Sequence, residues 1–274
     1  SCSDKVSMQE FDSAEIIKTI VLPKTINETS GLEFYNKNFI THNDSGDGPS
    51  LYVFNENGDL IKTIDLNKGA NFEIENNDWE DIASDDKYLY VADTGNNFGN
   101  RSNLNIIRVN KEDDYKVDGI IEILYADQET FFPRPKHKYD AEAILVIDEQ
   151  LVLFSKDREN LNTDLYLVDK FEKAAQKLTS EFDFNVNSLI TGGDYKNELN
   201  LLALVSYNSK GNQYLILFER FDLENLEENT FKKYKIPLER AQIESIKIID
   251  KNTFWVTSED EGIGNPFMYK LKVK

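Results

Sequence analysis

The sequence predicts an all-β chain folded as a five-bladed β-propeller. Three observations carry this: five segments repeat one outline, the last of them lacks its fourth strand, and a matching strand stands near the start of the chain. Each unit begins with a small or acidic residue ahead of aliphatics: "ETSGLEF", "DWEDIAS", "DAEAILV", "NVNSLIT" and "QIESIKI". A second apolar strand then runs into polar residues: "FITHND", "YLYVADT", "LVLFSKD", "LLALVSYN" and "TFWVTSED". Third strands follow as "SLYVFNE", "LNIIRVN", "DLYLVDK", "YLILFER" and "FMYKLKV". Fourth strands follow four of them: "DLIKTIDL", "IIEILYAD", "AQKLTSEF" and "KKYKIPLE".

The fifth unit stops after three strands, and "EIIKTIVL" near the start supplies the fourth, its Ile17–Ile20 repeating Ile61–Ile64 of the first unit. Pairing it with the last blade closes the ring and leaves no bare edge there. A six-bladed ring is the runner-up, but no room remains for another four-strand unit. The double-proline stretch "QETFFPRPKHK" reads as a surface loop, and "KFEKAAQKL" and "LENLEEN" have some helical character. Residues 1–14 are expected to be a tether and residues 15–274 a single propeller domain.

The chain has 274 residues, 40% of them hydrophobic, with 31 Lys plus Arg against 50 Asp plus Glu, a net charge of −19. That field repels nucleic-acid phosphates and anionic membranes and attracts cations. No apolar run approaches the roughly 20 residues of a membrane helix. A lone cysteine, Cys2 in "SCSD", excludes an internal disulfide. A small residue before Cys2 and a polar stretch after it look like a mature bacterial lipoprotein, which implies lipidation at Cys2 and membrane attachment through it alone. A monomer in the cell envelope, periplasmic or surface-exposed, is the expectation.

In a propeller the inner strand of each blade starts at the face where the second strand ends. Ser30, Glu80, Glu142, Asn187 and Glu244 are therefore expected to face one another across the axis, with Ser188 the alternative to Asn187. Three carboxylates around one axis repel unless protonated or bound to a cation. Hard oxygen donors suit Ca²⁺, while one terminal Cys and two His argue against a soft transition metal. His42, Asp44, Asp93, Asn96, Arg101, Lys156, Arg158, Tyr207 and Lys210 are expected around the channel mouth, where basic groups above a cation would hold a phosphate or carboxylate and Asp, Asn and Tyr would suit sugar hydroxyls.

The order of serine, glutamate, glutamate, a neutral oxygen and glutamate on successive inner strands resembles the calcium-dependent apyrases. That resemblance implies a five-bladed propeller with an axial Ca²⁺ acting on nucleoside di- and triphosphates, but the basic substrate-binding residues of that family have no clear match here. A closer likeness is to a group of bacterial envelope proteins carrying "THNDSG", "DWEDIA", a "DTGNN"-like loop followed by an Arg, and "DAEA" followed by a basic loop. It implies the fold and an exported location, and no particular reaction.

"NDSGDG" lacks an EF-hand's twelfth-position carboxylate, since Phe54 stands there. No nucleophile elbow, Walker loop or dinucleotide fingerprint occurs. Three functions stay open: a binding propeller whose partner is a small molecule, a glycan or an envelope protein; a calcium-dependent hydrolase of phosphoanhydrides or phosphoesters; and a glycosidase using Glu80, Glu142 and Glu244.

Overall fold

The structure, a computed structural model, describes residues 11–239, 241–259 and 264–274. Cys2 and residues 1–10 of the expected tether lie outside the described residues. Five antiparallel sheets form the blades of one ring. Blade 1 runs Thr29–Tyr35, Asn38–Asn43, Ser50–Phe54 and Leu60–Asp65 from the axis outward. Blade 2 runs Trp79–Ser84, Tyr88–Asp93, Asn105–Asn110 and Lys116–Tyr125. Blade 3 is Ala141–Ile147, Gln150–Ser155, Thr163–Val168 and Phe182–Phe184. Blade 4 is Leu189–Lys196, Leu201–Tyr207, Gln213–Phe218 and Lys232–Ile236. Blade 5 is Ile243–Asp250, Thr253–Ser258 and Phe267–Lys272, with Glu15–Val21 as its outer strand. The ring thus closes by antiparallel pairing of Glu15–Val21 with the last strand of the chain.

Two details differ from the sequence reading. "AQKLTSEF" does not form one outer strand. Gln176–Leu178 adds in parallel to the outer edge of blade 2, and Phe182–Phe184 completes blade 3. Residues 11–14, expected in the tether, join the fold: Asp12–Ser13 pairs in parallel with Lys232–Ile236, and Ala14 is buried. Helix among the described residues is limited to three single turns, one of them Leu226–Glu228 within "LENLEEN".

Each blade is buried on both faces, so its second strand reads as continuous apolar residues rather than a strict alternation. "LLALV" shows how: Ala203 and Val205 pack against blade 5, while Leu202 and Leu204 pack against blade 3. Five apolar clusters follow, one at every blade–blade interface. The site therefore stands on a rigid frame.

Candidate functional site

Every inner strand carries a β-bulge within two residues of where it starts to pair. Register shifts fall between Thr29 and Gly31, Trp79 and Asp81, Ala141 and Ala143, Ile190 and Gly192, and Ile243 and Ser245. A bulge leaves one residue unpaired and re-aims its side chain. The five bulged residues are Ser30, Glu80, Glu142, Thr191 and Glu244. Donor oxygens of Glu80, Glu142 and Glu244 all lie within 4.8 Å of one another.

These three glutamates are each only 3% exposed, and they form the base of a cavity of about 550 Å³ at the channel mouth. Lys156 Nζ donates to Glu142 Oε1 at 3.0 Å. Arg158 donates to Asp140 Oδ2 at 3.0 Å and stands 3.9 Å from Glu142. Among the described residues neither Glu80 nor Glu244 has an ion-pair partner. Burial, then the charges of Glu142, Asp44 and Asp78, holds Glu80 well above the ordinary carboxylate range. Burial, then Glu142 and Glu259, does the same to Glu244. Glu142 is pushed up to about 8, because burial opposes its charge more than one ammonium favours it. Burial also opposes the charge on Lys156, but Glu142 and Asp140 outweigh it and the lysine keeps its proton.

A second carboxylate group adjoins the first. Asp44, Asp78 and Glu80 bring donor oxygens within 4.8 Å of one another. Asp44 is pushed up to about 11 by burial, by a hydrogen bond to Asp78 and by the surrounding charges. The donor set is hard oxygen throughout, buried at the three glutamates and half-buried at Asp44 and Asp78, and short of counter-charge, which fits a divalent cation of the Ca²⁺ type. A larger groove of about 750 Å³ adjoins the mouth beyond Tyr207 and Gln242, lined by Lys210, Lys235 and Leu238. The converging carboxylates found among the described residues line the smaller cavity.

The residues expected at these places divide cleanly. Ser30 holds its ring position, its hydroxyl donating to the Glu80 carbonyl at 2.9 Å. Asn187 does not: it is exposed, left-handed at φ 50°, and precedes the inner strand. Ser188 is buried against Ser206 instead. Thr191 takes the bulge of blade 4, donating to the Ile243 carbonyl at 2.7 Å. Asp44, Lys156, Arg158 and Tyr207 line the cavity. His42 is fully buried between blades, edge-on to Trp79, and is not at the mouth. Asp93, Asn96 and Arg101 are scaffolding. Asp93 accepts from the Asp78 amide at 3.0 Å and from Arg101 at 2.9 Å, while Asn96 donates to the Tyr139 carbonyl at 2.8 Å.

Sequence reasoning missed Asp78, Gln242 and Thr191. The first two stand two residues ahead of Glu80 and Glu244, and a period-2 strand puts such residues on the same side. For Thr191 the signal was spacing: the ring positions are then 50, 62, 49 and 53 residues apart, more even than with Asn187.

No protein-family model and no curated protein matches the chain. Among solved structures it is similar to a glucose dehydrogenase, with a TM-score of 0.51 and 7% identity over 96% of this chain and 99% of that one. It is also similar to an exo-beta-1,3-galactanase from Clostridium thermocellum, at a TM-score of 0.56 and 13% identity over 89% of this chain and 58% of that one. The fold is a β-propeller. Likeness at such identities carries fold alone, and function rests on the site.

Proposed function

We propose that the mouth is a cation-dependent binding site for a small oxyanion-bearing ligand, with Ca²⁺ held on the channel axis by Glu80, Glu142 and Glu244. One observation carries the reading: three buried carboxylates converge within 4.8 Å, and of these only Glu142 has a cationic partner among the described residues. Leaving charge so poorly compensated inside a protein costs several kcal/mol unless a cation or protons neutralise it. Thr191 in the fourth position keeps a neutral oxygen in the order that resembles the calcium-dependent apyrases. When bound, the ion would draw an anionic oxygen toward the axis. Lys156 and Arg158 on the cavity wall then offer N–H donors to the ligand's remaining oxygens, and Tyr207, its ring 4.9 Å from Lys156 Nζ, holds the ammonium in place.

A second reading, hydrolysis of a phosphoester or phosphoanhydride, is favoured by Asp44 and Asp78, wall carboxylates open to the cavity that can orient water beside the bound phosphoryl group. Sugar hydrolysis is less well supported, since all three candidate glutamates crowd into one group instead of flanking a ring. Cys2 ahead of a polar stretch supports a lipid-anchored, exported protein.

Calorimetric titration with Ca²⁺, then with inorganic phosphate in Ca²⁺ or EDTA, tests the reading. Ca²⁺ binding that Glu80→Gln and Glu244→Gln each weaken, and phosphate binding that needs Ca²⁺, are expected. No Ca²⁺ binding to the wild-type chain would sink it. Phosphate release from nucleotides or simple phosphoesters separates hydrolysis from binding.

A further inference from the structure

We propose that the mouth holds a second divalent cation, on Asp44, Asp78 and Glu80, so that Glu80 bridges a pair of ions. This rests on the axial site proposed above and extends it toward the rim between blades 1 and 2. Two groups of carboxylate donors, each within 4.8 Å internally, share Glu80 as their common corner. A carboxylate has two oxygens and can give one to each of two ions.

Acid clusters alone do not make a metal site, and two further features single this one out. Glu80 is 3% exposed, lines the cavity, and its carboxylate receives no hydrogen bond or ion pair from any described residue. Its neighbour Gly95 shows where that side chain is aimed. A Cβ at Gly95 would fall 2.2 Å from Asp78 Oδ2 and 2.4 Å from Glu80 Oε1, so glycine lets the backbone pass while the two oxygens face one space. The scaffold residues hold this arrangement. Asp93, anchored by Arg101, accepts from the Asp78 amide, and the Asp44 carbonyl accepts from the Trp79 amide at 2.8 Å. The "DTGNN" loop and Arg101 thereby gain a purpose as positioning residues for Asp78.

Charge points the same way. Asp44, Asp78, Glu80, Glu142 and Glu244 line the cavity against Lys156 and Arg158, and Arg158 is already matched by Asp140. Lys156 alone then faces five carboxylates, which leaves four negative charges when all are ionised. One divalent cation halves that excess and still repels an oxyanion, whereas two cancel it and make room for a phosphate-type ligand beside Lys156.

Flow dialysis with Ca²⁺ on the full chain should give two ions per chain. Asp44→Asn combined with Asp78→Asn should give one, with the axial affinity changed less than about tenfold. Glu244→Gln should weaken the axial ion and spare the other, and Glu80→Gln should weaken both. A single ion in the wild-type chain, unmoved by the double substitution, overturns the second site and leaves the axial one standing. A single ion lost with Asp44→Asn/Asp78→Asn but kept in Glu244→Gln overturns the axial site instead. Mn²⁺ supplies a measurement that needs no variant. At saturation the electron spin resonance of the wild-type protein should show an exchange-coupled pair, and a spectrum of isolated ions only would refute the bridge.

Discussion

Two buried charge clusters share the propeller axis and are built in opposite ways, the lower one standing three residues beyond Ser30, Thr191 and Glu244 on the inner strands of blades 1, 4 and 5. At the floor Lys247 Nζ donates to Glu33 at 3.0 Å and to Asp194 at 2.9 Å, joining blades 5, 1 and 4. Asp194 also accepts the Ile248 amide at 2.8 Å, and Glu33 accepts the Phe34 amide at 3.3 Å. Each floor carboxylate has a cation and an amide. At the mouth, among the described residues, neither Glu80 nor Glu244 is ion-paired to a lysine or an arginine, although burial is as complete. The fold can therefore place a counter-charge on the axis, and does so where it only needs a plug. Its omission one turn of the pleat higher marks the mouth as a place for an ion from outside.

Removing the floor's counter-charge should have the largest effect. Lys247→Met leaves Glu33 and Asp194 buried and unpaired, a loss of about 3–5 kcal/mol. Urea unfolding would show it equally with Ca²⁺ and with EDTA. A loss that Ca²⁺ rescues would mean that the two clusters are coupled, and the contrast between them would fail.

Acid sharpens the contrast, because the groups involved pull in opposite directions. His42 is pushed down to about 4, chiefly by burial, so the folded state resists its protonation. Its contribution is complete above the unfolded value of about 6.5 and is lost as pH falls through about 4, amounting to about 3 kcal/mol. The mouth glutamates are raised, so in EDTA their contribution is present below pH about 4.5 and declines as pH rises toward 8. Stability in EDTA should thus peak in mildly acid solution, and Ca²⁺ should lift the alkaline side only. His42→Gln should flatten the acid side by one proton, about 1.4 kcal/mol per pH unit. An unchanged acid slope would remove His42 from this account.

Direct addition of the ion comes next in size. At a hundredfold excess over its Kd, Ca²⁺ should stabilise the wild-type protein by about 2.7 kcal/mol, which corresponds to a rise in Tm of about 5–10 °C. Glu80→Gln should abolish most of that rise, and Glu244→Gln the share that the axial ion contributes. In EDTA either should leave the protein as stable as wild type or more so by about 1 kcal/mol, since one repelling charge is gone. If both variants were strongly destabilised in EDTA, the glutamates would be structural like Glu33 and Asp194.

Most of the frame was legible because propeller strands are short, apolar and repeated: the blade count, the closing strand "EIIKTIVL" and the inward glutamates all follow from pattern. What failed depended on contacts between distant segments. His42 looks like a polar residue at a strand end, yet it fills the space that Gly31 leaves against Trp79 of the next blade. Asp93 and Arg101 look like rim ligands, but they bond to each other and to the Asp78 backbone. Gln176–Leu178 pairs with a neighbouring blade, which no local signal encodes.

The fourth position of the ring separates pattern from geometry most finely, with the smallest expected effect. Thr191→Val keeps shape and removes the hydroxyl that donates to the Ile243 carbonyl, a loss of about 1 kcal/mol. It also takes away the neutral oxygen at the bulge of the blade 4 inner strand. Asn187→Gly retains the left-handed backbone at φ 50° and removes only an exposed side chain, so stability should change by less than about 0.5 kcal/mol and Ca²⁺ affinity not at all. Ca²⁺ affinity that fell with Asn187→Gly and held with Thr191→Val would show that the sequence alignment of the fourth blade, rather than its bulge, marks the residue that faces the ion.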